Sequence, residues 1–518
     1  MSILSKNESF SKSVILIYVT RIIGFISGLL SVFLVIPNLA SKPEIFGIYT
    51  VCISLTIFFS YSDLGFIAAG QKYAAEYFAQ KKLDKELEVI GFVIFVLIGF
   101  LVLVSFGIAV FAIYPEWIIK DVSLESREIS KQLLFILCFS APIIVFQRFN
   151  SIVYSVRLND YIYQSIDILI NVVKIMGISW FVNKESYDIV GYYLFVQLLS
   201  FFSAFISIII ATKLYQFSLI DFIGKLRFSS EMFIKTKSLA FSSLLLTISW
   251  ILYFELDSIL LSKFYGTKVV AMYAIGFTIL SFCRNMYNTL YAPFQARFNH
   301  FVGLEDEVSL LDMLQKVIMA TLILCIIPPM VLIFYMEAII QVWVGKLYLS
   351  SVLISDLFVL TIAFSAISIP LSYVLIAKLQ NKVLRFSALF LPIIFYLSLW
   401  VFHVYLGEKS LAFAKVLTVF LGSCITIWGL YKNVVSGIFS LYFEAIKKML
   451  IPLLLLLICF YLFPAPSDLE FRNFQSYIQL SYLIIPSALI PILFYYFILF
   501  KTDILLYLRR KNELEIHD

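Results

Sequence analysis

About fourteen times along the chain, roughly 20 consecutive residues pass with little or no charge, the length a helix needs to cross the hydrocarbon core of a bilayer. That core holds no water to pair a backbone N–H or C=O, so only helices and closed barrels can span it. The runs are continuous rather than alternating, which excludes a barrel. The expected fold class is therefore an all-α polytopic membrane protein with about 14 transmembrane helices. Composition agrees: 62% of the residues are hydrophobic and 14% charged, against roughly 25% charged in a soluble domain. The lipid bilayer is thus a partner and nucleic acid is not an expected one. The connecting loops are too short for a separate folded domain.

The first run is too long for a signal-peptide core and no small-residue cleavage site follows it, so it is read as a retained first span. With both termini cytoplasmic, most of the 39 Lys and Arg fall in cytoplasmic segments. These include QKYAAEYFAQKKLDKELE (71–88), KLYQFSLIDFIGKLRFSSEMFIKTK (213–237) and the tail ending LRRKNELEIHD. The positive-inside rule fixes that orientation. The six cysteines lie singly within the runs without a CxxC spacing, and the three histidines, His300, His403 and His517, stand apart from other ligand types. No disulfide framework, metal site or cofactor is expected.

A self-comparison suggests duplication. SKSVILIYVT (11–20) aligns with KSLAFSSLLL (237–246), and FGIYTVCISL (46–55) with VAMYAIGFTI (270–279), offsets that correspond to about six spans. The expected organisation is a six-helix lobe with its cytoplasmic linker (1–237), a second six-helix lobe (238–445), and two extra helices with a cytoplasmic tail (446–518). Parallel repeats of this kind are a transporter architecture with the substrate site between the halves.

Residues three, four and seven apart share a helix face, so polar groups at that spacing inside a span mark a cavity lining. In the first span Arg21, Gly24, Gly28 and Ser31 form such a stripe, with Ile22, Ile26, Leu29 and Phe33 on another face. In the fifth, Asp167, Asn171 and Lys174 do so, preceded by Gln164. In the eighth, the stripe is Arg284, Asn288, Tyr291 and Gln295, and in the twelfth Lys415, Thr418, Gly422 and Thr426. Lys415 lies near the outer end of its span, where a long side chain snorkels to the interface. Arg148 lies near enough to the cytoplasmic end of the fourth span to snorkel or to line the cavity. Arg21, and above all the deeper Lys174 and Arg284, are expected to face a cavity or an ion pair. Asp257 shares a seventh-span stripe with Ser243, Trp250 and Tyr253, which reads either as a sugar-binding surface or as an aromatic belt with an interfacial acid. Asp63 and Asp167, near cytoplasmic span ends, are candidates for binding a coupling ion or for capping helices.

Two stretches carry a family resemblance: YSDLGFIAAGQKYAAEY (61–77), an Asp-Leu-Gly followed by a basic amphipathic segment, and ELDSILLSKFYGTKVVAMYA (255–274). The chain resembles the polysaccharide, or O-antigen (Wzx-type), flippases of the multidrug/oligosaccharidyl-lipid/polysaccharide (MOP) exporter superfamily. Where that family commonly has Val-Gly-Tyr-Tyr, this chain has Val270-Ala271-Met272-Tyr273.

The resemblance implies two six-helix lobes and alternating access in a bacterial inner membrane. It implies a polyprenyl-diphosphate-linked oligosaccharide as cargo, for O-antigen or capsule synthesis, with a glycan polymerase and assembly proteins as further partners. Arg21 and Arg284 match, by span and face, cavity arginines of related lipid II flippases. The expected substrate-binding set is Arg21, Arg148, Lys174, Arg284, Asn171, Asn288, Asp257 and Trp250, with no catalytic residue. A diphosphate suits these cations, which replace its lost hydration by charge-assisted hydrogen bonds. The rival readings are a drug or cation antiporter of the same fold, which wants acids at mid-depth, and a polytopic lipid-sugar glycosyltransferase using the acid pair Glu255 and Asp257.

Overall fold

The computed structural model describes residues 3–515 apart from 121–122, 184–185, 216–217, 379–380, 434–437 and 467–468. The side chains of Ser243 and of the tail from residue 499 lie outside the described set. The helices are, in order, α1 (Ile3–Leu39), α2 (Pro43–Ser54), α3 (Thr56–Ser60), α4 (Phe66–Ala79), α5 (Leu83–Ile113), α6 (Leu124–Phe139), α7 (Ala141–Val156), α8 (Asp160–Phe181), α9 (Ile189–Tyr215) and α10 (Leu219–Lys225). They continue as α11 (Ser230–Trp250), α12 (Asp257–Tyr265), α13 (Thr267–Gly303), α14 (Glu307–Phe334), α15 (Met336–Trp343), α16 (Val352–Ala377), α17 (Asn381–Leu406), α18 (Ser410–Asn433), α19 (Ile438–Leu462) and α20 (Phe474–Glu515).

Twelve stretches among the described residues are long and apolar enough to cross a membrane, and the one from Arg385 to Lys432 holds both α17 and α18. The seventh expected span is helical too, as α11 and α12 joined by a π turn over Ile251–Glu255. The chain is thus an all-α, multi-pass membrane protein. Two expected spans are interrupted helices. The second breaks into α2 and α3 at Leu55, and the fourth into α6 and α7 at Ser140. Pro142 accounts for the second break, because it has no N–H and its ring cannot continue α6.

By internal contacts the chain forms two units, Met1–Ala274 and Ile275–Asp518. Polar groups in the first unit are used to join helices: Asn150 Nδ2 donates to the Ala204 carbonyl and Tyr154 Oη to that of Ser207, each at 2.8 Å, fastening α7 to α9. Near one end Arg157 meets Glu86 at 2.7 Å with side chains 8% and 1% exposed. The Arg157 guanidinium also lies 4.8 Å from the Phe78 ring and 4.7 Å from that of Tyr215. In the second unit α19 and α20 bury Met449, Leu456 and Tyr495 in a core shared with Leu322 and Ile323 of α14. Tyr495 and Tyr496 donate to the Met319 and Ala320 carbonyls at 2.6 and 2.7 Å. Their other faces, including Leu450, Leu454, Ile458 and Leu493, are exposed as expected of lipid-facing helices.

Candidate substrate pocket in the first unit

The polar stripes of the first and fifth spans meet. Thr20 Oγ1 donates to Gln164 Oε1 at 3.0 Å, and Asn171 Nδ2 donates to Ser27 Oγ at 2.8 Å. Both partners advance by two turns in the same direction, so α1 and α8 run parallel, as first and fifth spans must. Asp167 accepts from Ser203 Oγ, and Lys174 Nζ donates to Ser200 Oγ at 2.9 Å. Here one partner advances while the other recedes, so α9 is antiparallel to α8. Polar contacts of this kind replace the hydrophobic drive that helices lack in lipid.

Between these helices lies a cavity of about 380 Å³ lined by Thr20, Arg21, Gly24, Ser27, Gln147, Gln164, Asp167, Ile168, Asn171 and Lys174. That is a volume typical of small-molecule sites, roughly 300–1,000 Å³. Arg21 is exposed, Lys174 half-buried, and Ile22 and Ile26 on the far side of α1 are 55% and 50% exposed. Two cations and one carboxylate share the cavity. Asp167 is also hydrogen-bonded to Tyr163 and lies within electrostatic reach of Lys174. Sequence periodicity alone would have found Thr20 and Ser27, four residues before and three after Gly24. Gln147 and Ile168 are the remaining unforeseen lining residues.

The other candidate residues are placed differently. Arg148 is not in the lining. Its guanidinium donates to the Ser60 carbonyl at 2.8 Å, supplying a partner at the C-terminus of α3. Asp63 accepts from the Ile67 N–H at 3.1 Å, in the first turn of α4. The adjoining Leu64 and Gly65 have φ of 48° and 80°, so the Asp-Leu-Gly motif is a left-handed turn that redirects the chain into α4. Asp257 is 2% exposed and hydrogen-bonded to the Tyr273 hydroxyl. Trp250 stacks on Phe254 with ring centroids 4.0 Å apart, and its Nε1 donates to Glu255 at 2.9 Å. The expected common face of Trp250 and Asp257 is lost because a π turn carries one more residue than an α turn and rotates everything after it out of register.

In the second unit, Arg284 is half-buried and Asn288 exposed on α13, but Tyr291 turns into helix packing, donating to Thr321 Oγ1 at 3.0 Å. Lys415 does not snorkel. It is fully buried, with Nζ 5.1 Å from the Phe277 ring and 5.6 Å from that of Phe358, where aromatic faces stabilise the cation.

No family model and no curated protein matches the sequence. Among solved structures, the lipid II flippase MurJ in an inward closed conformation superposes with a TM-score of 0.67 at 16% identity, covering 95% of this chain and 99% of that one. An inward-facing multidrug resistance MATE family transporter of the MOP superfamily gives 0.61 at 14% identity, over 82% of this chain and 96% of that one. A eukaryotic MATE transporter gives 0.54 at 13%, over 84% and 98%. The fold is that of MOP superfamily transporters. These three solved structures are of a flippase and transporters, not of enzymes.

Proposed function

We propose that the chain is a flippase that moves a polyprenyl-diphosphate-linked oligosaccharide from the cytoplasmic to the outer leaflet by alternating access, for O-antigen or capsule synthesis. The carrying observation is the polar cavity inside a membrane-spanning unit, with Arg21 and Lys174 among hydrogen-bonding side chains. Charged groups at such depth are costly and are kept where a site uses them. The diphosphate is the group these two cations suit: Arg21 offers a planar fork and Lys174 a point charge. Asn171, Gln164 and Gln147 supply further hydrogen bonds. Within the second unit, Arg284 and Asn288 of α13 are proposed as further substrate-binding residues. The protein operates in the bacterial inner membrane with both termini cytoplasmic, in line with the basic residues of 71–88 and 213–237. A glycan polymerase and assembly proteins act downstream. The shared fold with a lipid II flippase supports a lipid-linked cargo.

The test is the amount of lipid-linked repeat unit on the cytoplasmic leaflet of cells carrying Arg21→Ala or Lys174→Ala. Accumulation at normal protein abundance is expected. Export at the parental rate by both variants overturns the reading.

One observation favours a second reading, a cation or drug antiporter: Asp167 lies in the same cavity. In that case Asp167→Asn abolishes uptake of a cationic dye into proteoliposomes, whereas the flippase reading expects no dye transport by the parent.

A further inference from the structure

The segment joining α9 to α11 carries its hydrophobic residues outward. Leu219, Ile220 and Ile223 of α10 are 41%, 81% and 63% exposed and occupy one arc of the helix. Its other side is pinned to the unit. Phe222 is 8% exposed, and its ring centroid lies 4.6 Å from that of Phe149 on α7. A Cβ on Gly91 would fall 2.5 Å from the Lys225 carbonyl oxygen, so the missing side chain lets the end of α10 rest directly on α5.

These anchors set the depth. Glu88 is the last charged residue before the uncharged stretch of α5 from Val89 to Ile113, and Gly91 sits just inside that stretch. The backbone of α10 therefore lies where α5 enters the hydrocarbon. Lys225 of α10 and Arg227 just after it are basic, Lys213 precedes the helix in the chain, Asp221 is the single acid of α10, Glu88 of α5 lies within electrostatic reach of Lys225, and Phe228 is 55% exposed. An outward apolar arc is a liability in water, but at a bilayer surface it inserts beside the headgroups. Basic side chains beside it favour anionic lipid.

We propose that α10 is an interfacial anchor, with Leu219, Ile220 and Ile223 among the upper acyl chains and Lys213, Lys225 and Arg227 on anionic phospholipid headgroups. The anchor is independent of the cargo. It holds the linker that follows the sixth span flat against the bilayer.

The test uses the full chain with its native cysteines replaced and an environment-sensitive fluorophore at Ile220→Cys or Ile223→Cys, positions whose exposure means that little packing is lost. The protein is reconstituted in phosphatidylcholine vesicles or in phosphatidylcholine–phosphatidylglycerol vesicles, with lipids brominated just below the headgroup as quenchers. Strong quenching is expected, greater with phosphatidylglycerol, and Lys225→Gln with Arg227→Gln should remove the difference. Quenching by aqueous iodide but not by brominated lipid, or quenching indifferent to phosphatidylglycerol, overturns the proposal. Amide hydrogen exchange of 218–228 in the unmodified protein is the independent check. It should slow severalfold when phosphatidylglycerol is present, and an unchanged rate refutes the anchor.

Discussion

Two acid–base combinations of the first unit, one between the charged start of α5 and the end of α7 and one along α8, are built differently. Glu86 and Arg157 are sealed, nearly unexposed, and roofed by Phe78 and Tyr215. Asp167 and Lys174 are half-buried and line an open cavity, each fastened to α9 by a serine. A sealed pair has no room for a ligand and spends its charges on each other. An open one keeps hydrogen-bonding capacity for a visitor. The presence of an acid and a base on the same or neighbouring helices therefore does not by itself separate a structural pair from a candidate binding site. Access does.

The largest expected effect is on the sealed pair. Arg157→Ala leaves Glu86 buried without its counter-charge, which typically costs about 3–5 kcal/mol. Thermal unfolding in detergent should shift down markedly. Replacing both partners, Glu86→Leu with Arg157→Met, should recover most of that loss. Equal stability of the single variant and the parent would mean that the pair is not the lock described here.

Next in size is Lys174→Ala. If Lys174 holds a diphosphate, loss of a charge-assisted contact costs roughly 1.5–3 kcal/mol, about ten- to a hundredfold in affinity. Transport should fall while the unfolding temperature stays near that of the parent. A fall in stability as large as that of Arg157→Ala would erase the distinction between the two pairs. Arg21→Ala should behave like Lys174→Ala, and if both touch one diphosphate the double variant should lose less than the sum.

Asp167→Asn sharpens the comparison from the acid side. The amide oxygen still accepts from Ser203, while the negative charge near Lys174 disappears. Charges that act on each other through an open cavity without a salt bridge contribute at most about 1 kcal/mol, so diphosphate affinity in a calorimetric titration should rise by up to about fivefold. Weaker binding would show that the carboxylate itself takes part in recognition.

Much of this cavity was legible in the sequence, because α1 and α8 are regular over the segments concerned and spacing maps directly onto a face. Asp167, Asn171 and Lys174 share one lining, as the i, i+4, i+7 pattern requires. Legibility failed where the helix ceased to be regular or where the partner was distant in the chain. The π turn at Ile251–Glu255 separates Trp250 from Asp257, and no residue in that stretch announces it. The rings around Lys415 come from Phe277 and Phe358, so neither its burial nor its aromatic cage can be read from its own span. The backbone carbonyl that takes Arg148 is likewise invisible to side-chain periodicity.

The last test concerns Asp63, at a helix end. Its carboxylate accepts from the Ile67 N–H at the start of α4, a cap whose removal generally costs about 0.5–2 kcal/mol. Asp63→Ala should therefore lower stability slightly, and Asp63→Asn, which retains an acceptor oxygen, should lower it less. The acid has no role in transport on this account, so both variants should export glycan once abundance is matched. A coupling acid behaves otherwise: Asp63→Asn would then abolish transport while leaving the cap in place. Measuring export and unfolding temperature on this one conservative variant separates the two roles, because only coupling requires the negative charge while the cap requires only the oxygen.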